Sequence, residues 1–183
     1  MATRVIVEGP DGGGKTTLIK QLVKDTGLTV LPRASDSAKG PIPNIGHYID
    51  SDLTNHDRKG IYDRHPLISE FVYGPLIRGH MEFGHMWQSL DGYLLWLTQR
   101  VSMLYAYDPV VIYCLPPWEY VSKHVWESDT PQMPGVKESL LGIFELYIVQ
   151  YAKDQASHHR VHRWDYTQPD NYRIILADIR SYL

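Results

Sequence analysis

Two short stretches of the chain hold residue types and spacings that can carry chemistry. The first is GPDGGGKTT, in which Gly9, Gly14, Lys15 and Thr16 satisfy the pattern G-x-x-x-x-G-K-[ST]. Glycines in such a loop let backbone N–H groups turn toward phosphate oxygens, and a helix that begins after them adds its N-terminal dipole. The pattern predicts that Lys15 bridges the β- and γ-phosphates of ATP and that the Thr16 hydroxyl binds Mg²⁺. The alternative is a glycine-rich turn with a surface lysine.

The predicted ATP site covers the whole of this loop. Its residues are Gly9, Asp11, Gly12, Gly13, Gly14, Lys15, Thr16 and Thr17. A triphosphate loop is compatible with kinases, ATPases, GTPases and motor proteins, so the residues on the acceptor side must distinguish these functions.

The second stretch is Asp63-Arg64-His65, which follows a short apolar run. An aspartate at this position can hold a magnesium-bound water or accept a hydroxyl proton, and an adjacent arginine can bind a phosphate. A surface ion pair is the alternative interpretation of Asp63 and Arg64. We expect His65 to brace the loop rather than to transfer protons.

The elements that must position both stretches alternate between strands and helices. Strands are predicted at residues 4–8, 28–31, 60–62, 110–115 and 160–164. Helices are predicted at residues 15–24, 47–53, 89–104, 117–126, 137–151 and 169–183. This order indicates an α/β fold with a parallel central sheet of about five strands and helices on both faces. Ligands of such sheets bind at the carboxyl ends of the strands, where both stretches lie.

Size, charge and cysteine content narrow the functional classes. The 183 residues predict one domain over residues 1–183. A formal net charge of −3 gives no general reason to expect binding to nucleic acid or to anionic membranes, although it permits a local basic groove. The single cysteine, Cys114, excludes an internal disulfide and suits a reducing compartment. Since no signal peptide or long apolar run is present, we expect a cytoplasmic protein with no membrane partner.

Together the two stretches resemble the thymidylate kinase-like P-loop kinases. The resemblance rests on EGPDGGGKTT and YDRHPLISEFVYG, with weaker support from Arg78-Gly79 and from IYCLPPWEYVSKH. It implies the P-loop kinase fold and an ATP- and Mg²⁺-dependent transfer of the γ-phosphate to a deoxypyrimidine nucleotide, with a dTMP-like monophosphate as the best single match. It is also compatible with a homodimer formed through the helix at residues 89–104.

The resemblance implies roles for individual residues on the acceptor side. Asp11 matches a carboxylate that lies near the sugar or phosphate of the acceptor. Arg64 would bind the acceptor phosphate, while Asp63 would serve the metal or its water. Arg33 and Arg78 would also contact the acceptor.

Further residues would surround the base and cover the phosphates. The segment around Tyr73 and the helix near Gln99 and Arg100 would flank the base. Lys123 falls where a lid over residues 123–137 would begin, a position where the family usually has arginine. The implied catalytic set is Lys15, Asp63, Arg64, Asp11 and Lys123.

Two departures from the family pattern leave the acceptor open. No arginine lies between Arg100 and Arg160, and Gly12 stands where some members have an arginine, so few cations remain near the transferred phosphate. The stretch between Arg33 and Asp63 is short and rich in turn residues. A more open acceptor side would admit a hydroxyl of a modified pyrimidine, such as 5-hydroxymethyluracil within DNA. A nucleotide-binding regulatory module with little transfer activity is the third alternative.

Overall fold

The computed structural model describes residues 3–36, 40–79, 90–129, 132–168 and 170–183. In chain order the elements are β1 (Arg4–Glu8), α1 (Lys15–Thr26), β2 (Ser35–Asp36), β3 (Gly40–Pro41), α2 (Ile45–Thr54), β4 (Gly60–Asp63), α3 (Pro66–Tyr73), a π-helical turn (Gly74–Arg78), α4 (Leu90–Ala106), β5 (Val110–Cys114), α5 (Trp118–Glu127), α6 (Leu140–Ser157), β6 (Val161–Trp164) and α7 (Asp170–Arg180).

Four parallel strands form the central sheet in the order β4-β1-β5-β6. The short strands β2 and β3 pair with each other as a separate antiparallel ribbon. In the central sheet Val7 pairs with Asp63 on one side and with Ile112 on the other. The chain therefore leaves β1 directly beside Asp63, and this register brings the glycine-rich loop and the Asp63-Arg64-His65 stretch to the same edge.

Helices cover both faces of this sheet, as the sequence predicts. On one face Ile6 and Val111 belong to a buried apolar cluster with residues of α2, α3, α4 and α6. On the other face Val5, Val7 and Ile112 pack with residues of α1 and α7. Every residue of β1 and β5 is buried, which is the burial expected of central strands in a parallel sheet.

Within the described residues the central sheet has four strands, whereas about five were predicted. The segment at 28–31 makes a single parallel bridge, between Val30 and Ile61, at the outer side of β4. Its two hydrogen bonds run from Ile61 N–H to the Thr29 carbonyl and from Leu31 N–H to the Ile61 carbonyl, each 2.9 Å long. No further bridge follows Leu31 in the described part of the chain, so the pairing does not extend into a strand.

The observed helices agree in position with the predicted ones and differ at their ends. The helix predicted at 137–151 begins at Leu140 and continues to Ser157, while the one predicted at 47–53 extends over Ile45–Thr54. Ser89 and Pro169, where two predicted helices begin, lie outside the described residues, as do residues 130–131 of the predicted lid. Helix α3 was not predicted as a separate element.

None of the helices in the described part of the chain is both long enough and apolar enough to cross a membrane.

Candidate active site

The loop between β1 and α1 is built mainly from backbone. Gly9 has φ 133°, and a Cβ there would lie 2.6 Å from the carbonyl oxygen of Cys114, so only glycine fits. Gly14 caps α1 with φ 86°, in the left-handed region. Because the first amides of a helix have no intrahelical acceptor, the start of α1 presents N–H groups to a ligand. This loop is therefore shaped to bind an anion.

Lys15 lies inside the loop and is buried. Its Nζ donates to the carbonyl oxygens of Gly9 at 3.0 Å and Pro10 at 2.7 Å. The pKa of Lys15 is lowered to about 8, mainly by burial and also by the nearby charge of Arg64, while the charge of Asp11 acts in the opposite direction. A bound phosphate would restore the charge, since an opposite charge nearby favours the protonated amine.

The Asp63-Arg64-His65 turn is held by the end of β1. Arg64 has φ 69°, a left-handed conformation that is uncommon for a residue with a side chain. Its N–H donates to the Val7 carbonyl at 3.0 Å, and the N–H of His65 donates to the Glu8 carboxylate at 2.6 Å. These bonds fix the direction in which the Arg64 guanidinium leaves the turn.

Glu8 is a fully buried carboxylate behind this turn. Its second oxygen accepts a hydrogen bond from the Tyr147 hydroxyl at 3.0 Å. Burial raises the pKa of Glu8 to about 7, although its hydrogen bond from His65 and the nearby charge of Arg64 act in the opposite direction. Through these two hydrogen bonds Glu8 connects β1 to the turn and to α6, and its carboxyl group changes its protonation state near neutral pH.

His65 braces the start of α3, as predicted. The ring is fully buried, and its Nδ1 accepts a hydrogen bond from the Leu67 N–H at 3.2 Å. Since Nδ1 is an acceptor, the proton lies on Nε2, which donates to Asp52 at 3.4 Å. Burial lowers the pKa of His65, so the ring is neutral. With both nitrogens engaged, this imidazole caps the helix.

Asp11, Arg64 and Tyr73 form one hydrogen-bonded group. The Arg64 guanidinium donates to Asp11 at 2.8 Å and to the Tyr73 hydroxyl at 2.6 Å. The Tyr73 hydroxyl donates in turn to the second oxygen of Asp11 at 3.2 Å. Burial would raise the pKa of Asp11, but the charges of Arg64 and Lys15 outweigh it and hold this pKa well below its usual range. Asp11 is therefore an ionised hydrogen-bond acceptor beside the loop.

The two carboxylate oxygens of Asp63 differ in their hydrogen bonding. Oδ2 forms an ion pair with Arg33, whose side chain is 40% exposed. Oδ1 is buried and has no hydrogen-bond partner among the described residues. A buried oxygen without a partner is costly, and a metal-bound water would satisfy it. Together with the exposed hydroxyl of Thr16 at the start of α1, this oxygen fits a Mg²⁺ site of the kind completed by phosphate oxygens.

One cleft of about 810 Å³ contains most of these groups, including Lys15, Thr16 and the Asp11–Arg64–Tyr73 group. Its volume suits a nucleotide-sized ligand. The predicted site residues that line it are Asp11, Gly12, Gly14, Lys15, Thr16, Thr17, Arg33, Arg64, Tyr73 and Arg78. Gly9 and Gly13 do not line the cleft; they pack against the backbone of Cys114 and so allow the loop to lie close to β5.

Besides Gly9 and Gly13, three of the predicted site residues do not line the cleft, which corrects their predicted placement: Asp63, Arg100 and Lys123. Asp63 lies at the end of β4, where its carboxylate pairs with Arg33, which does line the cleft. Arg100 donates from Nε to Asp50 at 2.6 Å, an ion pair that joins α4 to α2. Lys123 is exposed on α5 and does not line the cleft. Gln99, which we expected near the base, is exposed on α4 and is not among the lining residues either.

Other cleft residues were missed from the sequence. Glu70 is buried on α3 and forms an ion pair with Arg78. His124 lies on α5 one residue beyond Lys123, and Tyr166 follows β6. Of these, Tyr166 had a usable signal, because residues just after a parallel strand lie at the ligand-binding edge. For Glu70 and His124 the sequence offered no comparable pattern.

Solved structures with the same fold include two kinds of nucleotide-binding protein. The YorR protein of Bacillus subtilis, crystallised with phosphorylated GDP, superimposes with a TM-score of 0.63 at 18% identity, covering 99% of each chain. Deoxyadenosine kinase from M. mycoides with bound dCTP gives a TM-score of 0.55 at 13% identity, covering 98% of this chain and 100% of that one. The same kinase with bound dATP gives 0.50 at 14% identity.

No protein-family model matches the sequence, and no curated protein matches it either. At the identities of these solved structures the likeness concerns the fold. The parallel sheet, the helices on its two faces and the glycine-rich loop show that the chain has the P-loop kinase fold along nearly its whole length.

Proposed function

We propose that the protein is an ATP- and Mg²⁺-dependent kinase that transfers the γ-phosphoryl group to an acceptor carrying a nucleobase. The observation that carries this proposal is one cleft in which the Asp11–Arg64–Tyr73 group lies directly against an ATP-type loop, with Arg33 and Arg78 also lining the cleft. Water would be the acceptor of an ATPase, and water does not need a binding site lined by three arginines; one arginine beside the transferred phosphate serves that chemistry.

The residues divide into a donor side and an acceptor side. On the donor side the loop amides and Lys15 would hold the phosphates, while Thr16 and Asp63 would hold Mg²⁺, which neutralises phosphate charge when bound. On the acceptor side Arg64 would orient the acceptor. During transfer the bond from the γ-phosphorus to the ADP oxygen breaks and a bond to the acceptor oxygen forms.

The specific acceptor that the sequence resemblance favours is a dTMP-like deoxynucleoside monophosphate. Support comes from the three arginines that line the acceptor side: Arg33, Arg64 and Arg78. Arginine binds phosphate in a bidentate geometry, and at pH 7 a phosphate acceptor has no proton to lose. In addition, the two kinds of protein with this fold were crystallised with nucleotides.

A second candidate acceptor presents a hydroxyl group, either on a free deoxynucleoside or on a modified pyrimidine within DNA. It is favoured by the ion pairs of the same arginines, since Arg33 pairs with Asp63 and Arg64 with Asp11. A phosphate dianion would have to compete with these carboxylates, whereas a neutral acceptor would leave them in place. In this case Asp11 or Asp63 would accept the hydroxyl proton as the new phosphorus–oxygen bond forms.

The two candidates are separated by one transfer experiment. Purified protein is incubated with γ-labelled ATP and Mg²⁺ and, in parallel, with deoxynucleoside monophosphates, deoxynucleosides, unmodified DNA and DNA containing hydroxymethyluracil. Label on a monophosphate supports the first candidate, while label only on a nucleoside or on hydroxymethylated DNA supports the second. If ATP binds and no acceptor becomes labelled, the proposal of a kinase is overturned in favour of a nucleotide-binding module.

We also propose a homodimer through α4. This helix exposes Leu94 by 47% and Leu95 by 62% of their surfaces, which is unusual for neighbouring leucines. Light scattering of the intact chain should give twice the monomer mass, and replacing both leucines with glutamate should give the monomer. A wild-type mass equal to that of one chain would refute the dimer.

A further inference from the structure

The phosphate loop lacks the lid cations that the sequence led us to expect. Lys123 is exposed outside the cleft, and Lys137 places its Nζ 5.8 Å from the ring centroid of the exposed Trp126. Gly12 contributes no side chain at all. Phosphoryl transfer depends on neutralising charge that is spread over the transferred group, so a further cation near the loop would assist Lys15 and Mg²⁺ in this task.

Helix α5 packs directly against the loop at Gly12. A Cβ added to Gly12 would lie 2.7 Å from the Val121 carbonyl oxygen and 3.4 Å from Cβ of His124. His124 therefore lies next to Gly12, the loop position where some kinases of the family that the sequence resembles have an arginine. It also lines the same cleft as Lys15 and Thr16.

On the opposite side of the loop, Tyr166 packs against Gly14. A Cβ on Gly14 would lie 2.8 Å from the Tyr166 ring. The Tyr166 hydroxyl and Nδ1 of His124 are 3.1 Å apart, and the two rings meet edge to face at 6.0 Å. The His124–Tyr166 pair therefore spans the loop from its Gly12 side to its Gly14 side.

We propose that His124 supplies the lid charge that contacts the γ-phosphoryl group of ATP. In the imidazolium form Nδ1–H donates to the Tyr166 hydroxyl oxygen, which leaves Nε2–H directed to a phosphate oxygen. His124 neither gives nor takes a proton during transfer. It stabilises the three phosphoryl oxygens while the phosphorus passes from the ADP oxygen to the acceptor oxygen.

The charged groups that line the cleft with His124 permit this role. Lys15 belongs to the loop beneath it, the loop residue Asp11 forms an ion pair with Arg64, and Glu127 follows three residues later on the same helix. Among described residues of the lid segment, residues 123–129 and 132–137, His124 is the one side chain lining the cleft that can carry a positive charge.

The inference rests on the proposed function, but its first test does not need an acceptor. Affinities for ATP and for ADP are measured by calorimetry for the wild type and for His124→Gln. Because the γ-phosphate is present only in ATP, we expect the variant to lose about tenfold in affinity for ATP and much less for ADP. An unchanged ratio of the two affinities would overturn the proposal whether or not the protein is a kinase.

The second test uses substitutions that separate charge from ring shape. His124→Lys keeps a positive charge, whereas His124→Phe keeps a flat ring that could stack on the adenine base. We expect the lysine variant to regain most of the ATP preference and the phenylalanine variant to resemble His124→Gln. The reverse order would show a base-stacking role and contradict ours. His47→Gln, at an exposed histidine on α2, is the matched control and should bind both nucleotides like the wild type.

Discussion

The donor side and the acceptor side of the cleft are built in different ways. On the donor side the ligand-facing groups are backbone amides of a glycine loop and one buried lysine, held within a span of nine consecutive residues. On the acceptor side the groups are arginines, each held by a carboxylate from another part of the chain. A site built from backbone tolerates few sequences and is easy to identify, whereas one built from paired side chains can change its ligand by changing one partner.

The largest effect is expected at the donor side. Lys15→Ala removes the single cation inside the phosphate loop, so transfer should fall by about a thousandfold or more. Folding should change little, because the buried ammonium has a depressed pKa and is itself costly to bury. Initial rates with labelled ATP and a thermal unfolding curve check both statements. A variant that retains even a tenth of the wild-type rate would remove Lys15 from the mechanism.

On the acceptor side the corresponding substitution is Arg64→Ala. We expect about a hundredfold loss of transfer, smaller than that of Lys15→Ala because the loop still binds ATP. Arg64→Lys should recover only part of the activity, since lysine keeps the charge but cannot bind a phosphate in the bidentate geometry of a guanidinium. The rate at saturating ATP and acceptor checks this. Full recovery by lysine would mean that only the charge at this position matters.

Glu8, which connects β1 to the Asp63-Arg64-His65 turn, should make the free energy of unfolding depend on pH. The pKa of Glu8 rises from 4.5 to about 7 on folding, so the folded state keeps a proton that the unfolded state has released. Stability contributed by this group is therefore present at pH below 4.5, is lost as the pH rises toward 7, and stays lost above it. The shift corresponds to at most about 3 kcal/mol.

Glu8→Gln cannot ionise and should abolish this dependence. The variant should be more stable than the wild type above pH 7 and no more stable than it near pH 4.5. Urea unfolding across this pH range measures the difference. Parallel curves for the two proteins would show that Glu8 titrates alike in the folded and unfolded states.

The smallest effect is expected for Arg33, whose side chain is partly exposed. Arg33→Gln should raise the KM of a monophosphate acceptor about fivefold, because an exposed ion pair contributes little. For a neutral hydroxyl acceptor the KM should stay the same. The acceptor found in the labelling experiment decides which case applies. A change in the KM for ATP instead would place Arg33 on the donor side.

The donor side of the cleft was easier to predict from the sequence than the acceptor side. The loop could be identified because its pattern is local and because backbone geometry forces glycine at Gly9 and Gly14. The parallel sheet followed from the order of apolar runs. The strand predicted at 28–31 was wrong in extent, since the segment pairs with β4 through one bridge alone.

The acceptor side was less predictable because its partners are distant in the chain. Glu8 and Tyr147 are 139 residues apart, and Arg64 and Asp11 are 53 apart. Arg100 was placed near the base from its motif context, but Asp50 on the facing helix engages it. Charge pairing of this kind depends on helix packing, which periodicity along a single helix does not specify.

The most direct test of the account measures ATP binding and phosphoryl transfer side by side in Lys15→Ala and Arg64→Ala. If the cleft is a kinase site with separate donor and acceptor sides, Lys15→Ala loses both ATP binding and transfer. Arg64→Ala then binds ATP within about threefold of the wild type and fails in transfer. Loss of ATP binding in Arg64→Ala equal to that in Lys15→Ala, or normal transfer in either variant, would contradict the account.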